Sequence, residues 1–162
     1  MTSRARRILL AISLLALGGV LVSSVSLSHH YSTAQSSFCD FGESFNCDMV
    51  NRSIYSVIVG IPVALIGIIG YLVLLALAIL YRAKAATPAI LLIAALAGLV
   101  FALYLTYIEA FVLAVWCILC LTSLALILAI AVLSAVLVVY RVRRGSVNEK
   151  ADSSLSPRSG SE

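Results

Sequence analysis

The stretch from Val115 to Tyr140, VWCILCLTSLALILAIAVLSAVLVVY, carries no charged residue and ends on the basic cluster Arg141, Arg143 and Arg144. A helix needs about 20 predominantly apolar residues to cross a hydrocarbon core of roughly 30 Å. This run is long enough and reads as a membrane-crossing helix, with Cys117-Ile-Leu-Cys120 at its start. Working outward, Pro88 to Tyr107, Val57 to Leu80 and Ile8 to Leu27 are comparable apolar stretches. Hydrophobic residues make up 62% of the 162 positions and the mean hydropathy is +1.12, which excludes an ordinary soluble domain. The fold class expected is an all-α integral membrane protein, a four-transmembrane-helix bundle over residues 1–144. Residues 145–162 are rich in Ser and charge, poor in apolar side chains, and read as a disordered tail.

The first stretch follows Arg4, Arg6 and Arg7, as a secretory signal would. Its apolar run exceeds an h-region of about 7 to 15 residues and no convincing small-x-small cleavage site follows, so it is kept as the first helix. Lys and Arg are retained on the cytoplasmic side. Arg4/Arg6/Arg7, Arg82/Lys84 and Arg141/Arg143/Arg144 fall on one face if there are four crossings, which places both termini in the cytoplasm. The other face has Asp40, Glu43, Asp48 and Glu109 against Arg52, and it holds all four cysteines. The net charge of +4 follows from this topology and calls for no nucleic-acid partner.

Between the first two stretches lies a polar segment, about Ser28 to Ser56, longer than a turn requires. Its second half, Cys47 to Ser56, spaces Met49, Val50, Ile54 and Tyr55 as a short interfacial helix would. In the second stretch, Gly60, Gly67 and Gly70 permit close helix approach, and Pro62 falls near one end where a kink is tolerable.

Cys117 and Cys120, three apart, share one helix face and are near enough to form a bond in its first turn. Unsatisfied amides there favour the thiolate, which is the species that attacks disulfides. Cys39 and Cys47 are eight apart in the loop, where a disulfide is sterically easy. Each pair has a plainer reading: a structural staple in the loop, and buried small hydrophobes on the helix. His29 and His30 also admit a zinc site with the loop cysteines, although paired histidines at a helix end usually face solvent. Two thiol pairs on one face, able to exchange through a mixed disulfide, point instead to an electron relay.

Cys39-x7-Cys47, then Ser53, the Gly60-Ile-Pro segment, Tyr107-x-Glu109-Ala-Phe and Cys117-Ile-Leu-Cys120 together resemble the vitamin K epoxide reductase family, most closely its bacterial and archaeal members. The resemblance covers about Ile8 to Tyr140. It implies that Cys117 and Cys120 are the active-site pair, with Cys120 facing a quinone and Cys117 forming the mixed disulfide. It implies that Cys39 and Cys47 are the shuttle pair, with Cys47 the partner of Cys117, and that Ser53 lies near the thiol or quinone. Glu109 matches an acid common before the pair, and its plainer reading is an ordinary interfacial carboxylate. Leu124 stands where the vertebrate enzyme has a quinone-binding Tyr, and no Asn lies in an apolar stretch, so reduction of a ubiquinone or menaquinone is implied rather than epoxide reduction. The implied partner is a separate thioredoxin-fold protein outside the membrane, and the implied outcome is disulfide formation in secreted proteins. The alternatives are a vitamin K quinone or epoxide reductase, and a structural or metal-binding membrane protein with static disulfides.

Overall fold

A computed structural model describes residues 3–31, 45–80 and 87–155. In chain order these form α1 (Ser3–Tyr31), the short α2 (Cys47–Asn51), a 3-10 turn (Ile54–Ser56), strands β1 (Val57–Ile58) and β2 (Ile61–Pro62), α3 (Val63–Leu80), α4 (Thr87–Ile108), a π-helical turn (Glu109–Leu113) and α5 (Ile118–Leu155). Cys39, Asp40, Glu43, Arg82 and Lys84 lie outside the described residues.

Helix α1 packs against α3 and α5, and α4 packs against α5. The core is built from Leu9, Ile12 and Ala16 of α1, Tyr71, Leu74 and Ala78 of α3, Leu91 and Ala95 of α4, and Ile127, Ile130 and Leu137 of α5. The buried stripe of α1 continues through Gly19, Ser23 and Ser26, all small. Small residues let helix backbones approach where lipid gives no hydrophobic drive to association. A Cβ at Gly19 would lie 2.3 Å from the Tyr71 ring, so the absence of a side chain there is what admits the ring. At Gly67 a Cβ would stand 2.9 Å from Ser23 Oγ, as expected of a close-approach glycine; at Gly70 it would meet nothing within 4 Å.

The outward faces are apolar too, with Leu14, Leu21, Ile93 and Val100 all exposed. Such surfaces suit hydrocarbon, not water. Polar side chains within the helices bond back to their own helix, as Ser13 Oγ–H does to the Leu9 carbonyl and Ser134 Oγ–H to that of Ile130. That satisfies them where no water is available. Three helices are long and apolar enough to cross a membrane: Ser3–Tyr31, Pro88–Leu113 and Ile118–Val147. The protein is a membrane protein.

The second expected crossing differs from the reading of the sequence. Its helical part begins only at Val63 and is shorter than the other three, because Val57 to Pro62 form a hairpin in which Val57 faces Pro62 and Ile58 faces Ile61. Val59 and Gly60 make the two-residue turn with φ of 52° and 80°. Two consecutive positive φ values match the twist of paired strands, and Gly at the second position accepts one without strain. The short helix expected over Cys47 to Ser56 is present as α2 followed by the 3-10 turn.

A second difference lies at the far end, where a disordered tail is expected from Gly145. Helix α5 continues to Leu155. Extending a helix already formed needs no new nucleus, so polar residues of ordinary propensity can be carried along by the apolar turns before them.

Candidate active site

The site is assembled where α2 meets the start of α5. Phe45 and Trp116 form a parallel bridge, in which the Asn46 N–H donates to the Trp116 carbonyl at 3.1 Å. Asn46 also caps α2, its Oδ1 accepting from the Met49 N–H at 2.8 Å. An Asn in this position satisfies one of the amides left over at a helix start. The next residue on each segment is a cysteine, Cys47 on one and Cys117 on the other. Both are almost fully buried, 1% and 0% exposed, in one apolar cluster with Val50 and Val115, against which Leu113, Leu119 and Cys120 pack. Cys47 is disulfide-bonded, whereas Cys117 and Cys120 are free thiols.

The chain reaches Cys117 through the π-helical turn and a reversal at Ala114, whose φ is 51°. Cys117 precedes α5, and its carbonyl accepts from the Leu121 N–H at 3.0 Å, which places Cys120 in the first turn. Hydrogen bonding from the Cys120 thiol holds Cys117 below the ordinary thiol range; the Cys120 and Leu119 amides add to this, against burial and the nearby Glu109 charge.

Glu109 is 2% exposed. Its Oε2 accepts from the Cys117 N–H at 3.2 Å and its carboxylate stands beside the Cys120 thiol, yet Oε1 takes no well-directed hydrogen bond among the described residues. The interfacial reading of Glu109 gives way to a buried one.

Below the cysteine pair lies a cavity of about 490 Å³ with a mainly apolar lining. Cys120, Ser123 and Ile127 face it from α5, while Cys117 does not. The two cysteines thus differ in their surroundings, Cys117 buried in the cluster that holds Cys47 and Cys120 facing the cavity. Ser53 lines the cavity as expected, with its hydroxyl donating to the Val50 carbonyl at 2.8 Å. Leu124 is not among the lining residues, because positions three and seven after Cys120 take that face.

A family model described as the vitamin K epoxide reductase family matches residues 10–135. The chain belongs to that family. No curated protein gives a significant match. Membership makes the protein a membrane oxidoreductase, of a family whose chemistry is linked to quinones.

A quinone is a flat apolar ring with two hydrogen-bond-accepting oxygens, and the cavity fits one in size and character. Two buried polar groups on its wall are without a hydrogen-bond partner among the described residues: Asn51 Nδ2 and Glu109 Oε1. Asn51 is held by the Ser26 hydroxyl, which donates to its Oδ1 at 2.8 Å, and by His30 Nδ1–H on its carbonyl. Tyr71 reaches the cavity from α3 and donates its hydroxyl to the Ser123 carbonyl at 2.9 Å. The wall therefore has an Asn and a Tyr, Asn51 from α2 and Tyr71 from α3, neither of them in the motifs that carry the resemblance. For Asn51 the available signal is its place four residues after Cys47, on the same face of a short helix. For Glu109 it is a lone acid at the end of an otherwise uncharged membrane stretch. His29 Nδ1 lies 3.6 Å from Asp48 Oδ1, which accounts for that imidazole.

Proposed function

We propose that the protein is a membrane thiol–disulfide/quinone oxidoreductase that takes electrons from a thioredoxin-fold protein outside the membrane, by way of Cys39/Cys47 and then Cys117/Cys120. The observation that carries this reading is the division of contacts at the α2–α5 junction, where Cys47 is buried with Cys117 and Cys120 faces the cavity. This reading takes α3, although shorter, as a fourth crossing, and the basic clusters as marking the cytoplasmic face, with both termini inside and the cysteines outside. The disulfide at Cys47 is formed with Cys39.

In the thiol-oxidising direction the partner's dithiol reduces the Cys39–Cys47 bond. The Cys47 thiolate attacks Cys117 of the Cys117–Cys120 disulfide, forming a mixed disulfide and releasing the Cys120 thiolate. Attack by Cys39 on Cys47 then restores the loop disulfide and leaves Cys117 and Cys120 reduced, so two electrons have moved inward. Asn51 Nδ2 and the apolar wall would hold a quinone, which when bound would supply the two-electron sink, and Ser53 would pack against it with its hydroxyl spent on the Val50 carbonyl. The partner leaves oxidised and able to introduce disulfides into secreted proteins.

Quinone reduction by purified protein, driven by reduced thioredoxin-fold proteins or by a small dithiol at equal thiol concentration, tests the partner. A thioredoxin-fold dithiol is expected to support turnover at least tenfold faster. Equal turnover with the small dithiol would indicate a quinone reductase that uses small thiols.

A further inference from the structure

The relay leaves one group at its centre without a task. Glu109 touches both cysteines of the inner pair, through the Cys117 amide and the Cys120 thiol, and it is also part of the cavity wall. Burying a carboxyl group inside an apolar bundle is costly, and a merely structural acceptor would spend both oxygens on donors. Here one oxygen holds the Cys117 amide and the other takes no well-directed bond among the described residues. The cavity's other ionisable groups are committed elsewhere: the Tyr71 hydroxyl to Ser123 and the His30 imidazole to the Asn51 carbonyl. Tyr55 is part of the wall from the exposed 3-10 turn.

We propose that Glu109 is the proton carrier of the Cys117/Cys120 pair, its free oxygen taking the proton that leaves the Cys120 thiol and passing it to the cavity. This rests on the quinone reading above and adds to it the route of the protons. Two thiols joining into a disulfide give up two electrons and two protons, and a quinone becoming a quinol takes up two of each. The sulfur–hydrogen bond of Cys120 breaks as the Cys117–Cys120 bond forms, and Glu109 holds that proton before an oxygen–hydrogen bond forms on the quinol. Cys117 loses its own proton to water when it ionises, and water supplies the second proton of the quinol. The balance closes without any further reactant. Oε2, fixed by the Cys117 amide, keeps the carboxyl group in place while Oε1 changes protonation.

The test is Glu109→Gln, which keeps the shape and can still accept from the Cys117 amide but cannot carry a proton, with Glu109→Asp as the conservative variant. In single-turnover oxidation of pre-reduced protein by a short-chain ubiquinone, Glu109→Gln is expected to be at least 100-fold slower, since general acid–base groups contribute about 10²–10⁴-fold. Glu109→Asp should recover part of the rate. A second readout needs no quinone: the infrared difference between reduced protein and protein oxidised by a small disulfide should contain a carboxyl C=O band that shifts with carbon-13 labelling of glutamate and is missing in Glu109→Gln. If wild-type protein is oxidised by the small disulfide but not by the quinone, the quinone reading fails and the infrared band still decides the role of Glu109. If Glu109→Gln does not fold, the isotope-edited wild-type spectrum decides. A wild-type rate in Glu109→Gln, or no glutamate carboxyl band on changing the redox state of the pair, overturns the proposal.

Discussion

Replacing Cys120 with alanine is expected to leave α2 and α5 covalently joined, Cys47 to Cys117, and to abolish quinone reduction. Cys117 and Cys47 share one buried cluster, held in register by the bond between Asn46 and Trp116 immediately before them. In the variant the Cys117 thiolate attacks Cys47 of the loop disulfide and displaces Cys39. Cys120, the thiol that would attack Cys117 and release Cys47, is gone, so the mixed disulfide is undone only by Cys39 returning to Cys47, and alkylating the displaced Cys39 during the quench traps it. Mass spectrometry of peptides from non-reduced protein reads the outcome. A Cys39–Cys47 bond as the only linkage in Cys120→Ala would contradict the assigned order, and so would a Cys39–Cys117 bond.

The second large effect is expected at the cavity rather than at the thiols. Gly70 lines it from α3, and a Cβ built there meets nothing within 4 Å, so the backbone tolerates a side chain. Gly70→Leu would fill part of the space below Cys120 without touching the α2–α5 junction. The KM for quinone should rise at least tenfold, which corresponds to about 1.4 kcal/mol of binding. Formation of the Cys47–Cys117 cross-link in the Cys120→Ala background should be unchanged by the same substitution. An unaltered KM would place the quinone elsewhere.

Much of this was legible in the residues because membrane helices and redox thiols announce themselves locally. Val115 to Tyr140, Pro88 to Tyr107 and Ile8 to Leu27 are uncharged runs of sufficient length, and each corresponds to a helix long enough to cross. The start of α3 was not, because Val57 to Ile61 are as apolar as the helix that follows, and hydropathy does not distinguish a hairpin from a helical turn. In the sequence Gly60 reads as a packing glycine; its positive φ in a two-residue turn depends on the strands beside it. The division of roles between Cys117 and Cys120 follows from spacing only once the neighbours on each side are known, since residues three apart lie on one face without saying what that face meets. Leu124 illustrates the same limit, for four residues after Cys120 the helix has turned away from the cavity that Ser123 faces. Glu109 depends on tertiary structure altogether, its burial arising from the π-helical turn and the reversal at Ala114 that fold it back onto Cys117.

The central claim is that electrons leave the protein from the Cys117/Cys120 pair into a quinone in the cavity below it. Its most direct test is to mix fully reduced protein anaerobically with one equivalent of ubiquinone or menaquinone and quench at intervals, following quinone absorbance and mapping the disulfides. The account predicts one quinone reduced for each Cys117–Cys120 bond formed, with that bond appearing before any bond between Cys39 and Cys47. Quinone reduction without a Cys117–Cys120 bond, or a loop disulfide forming first, would contradict it.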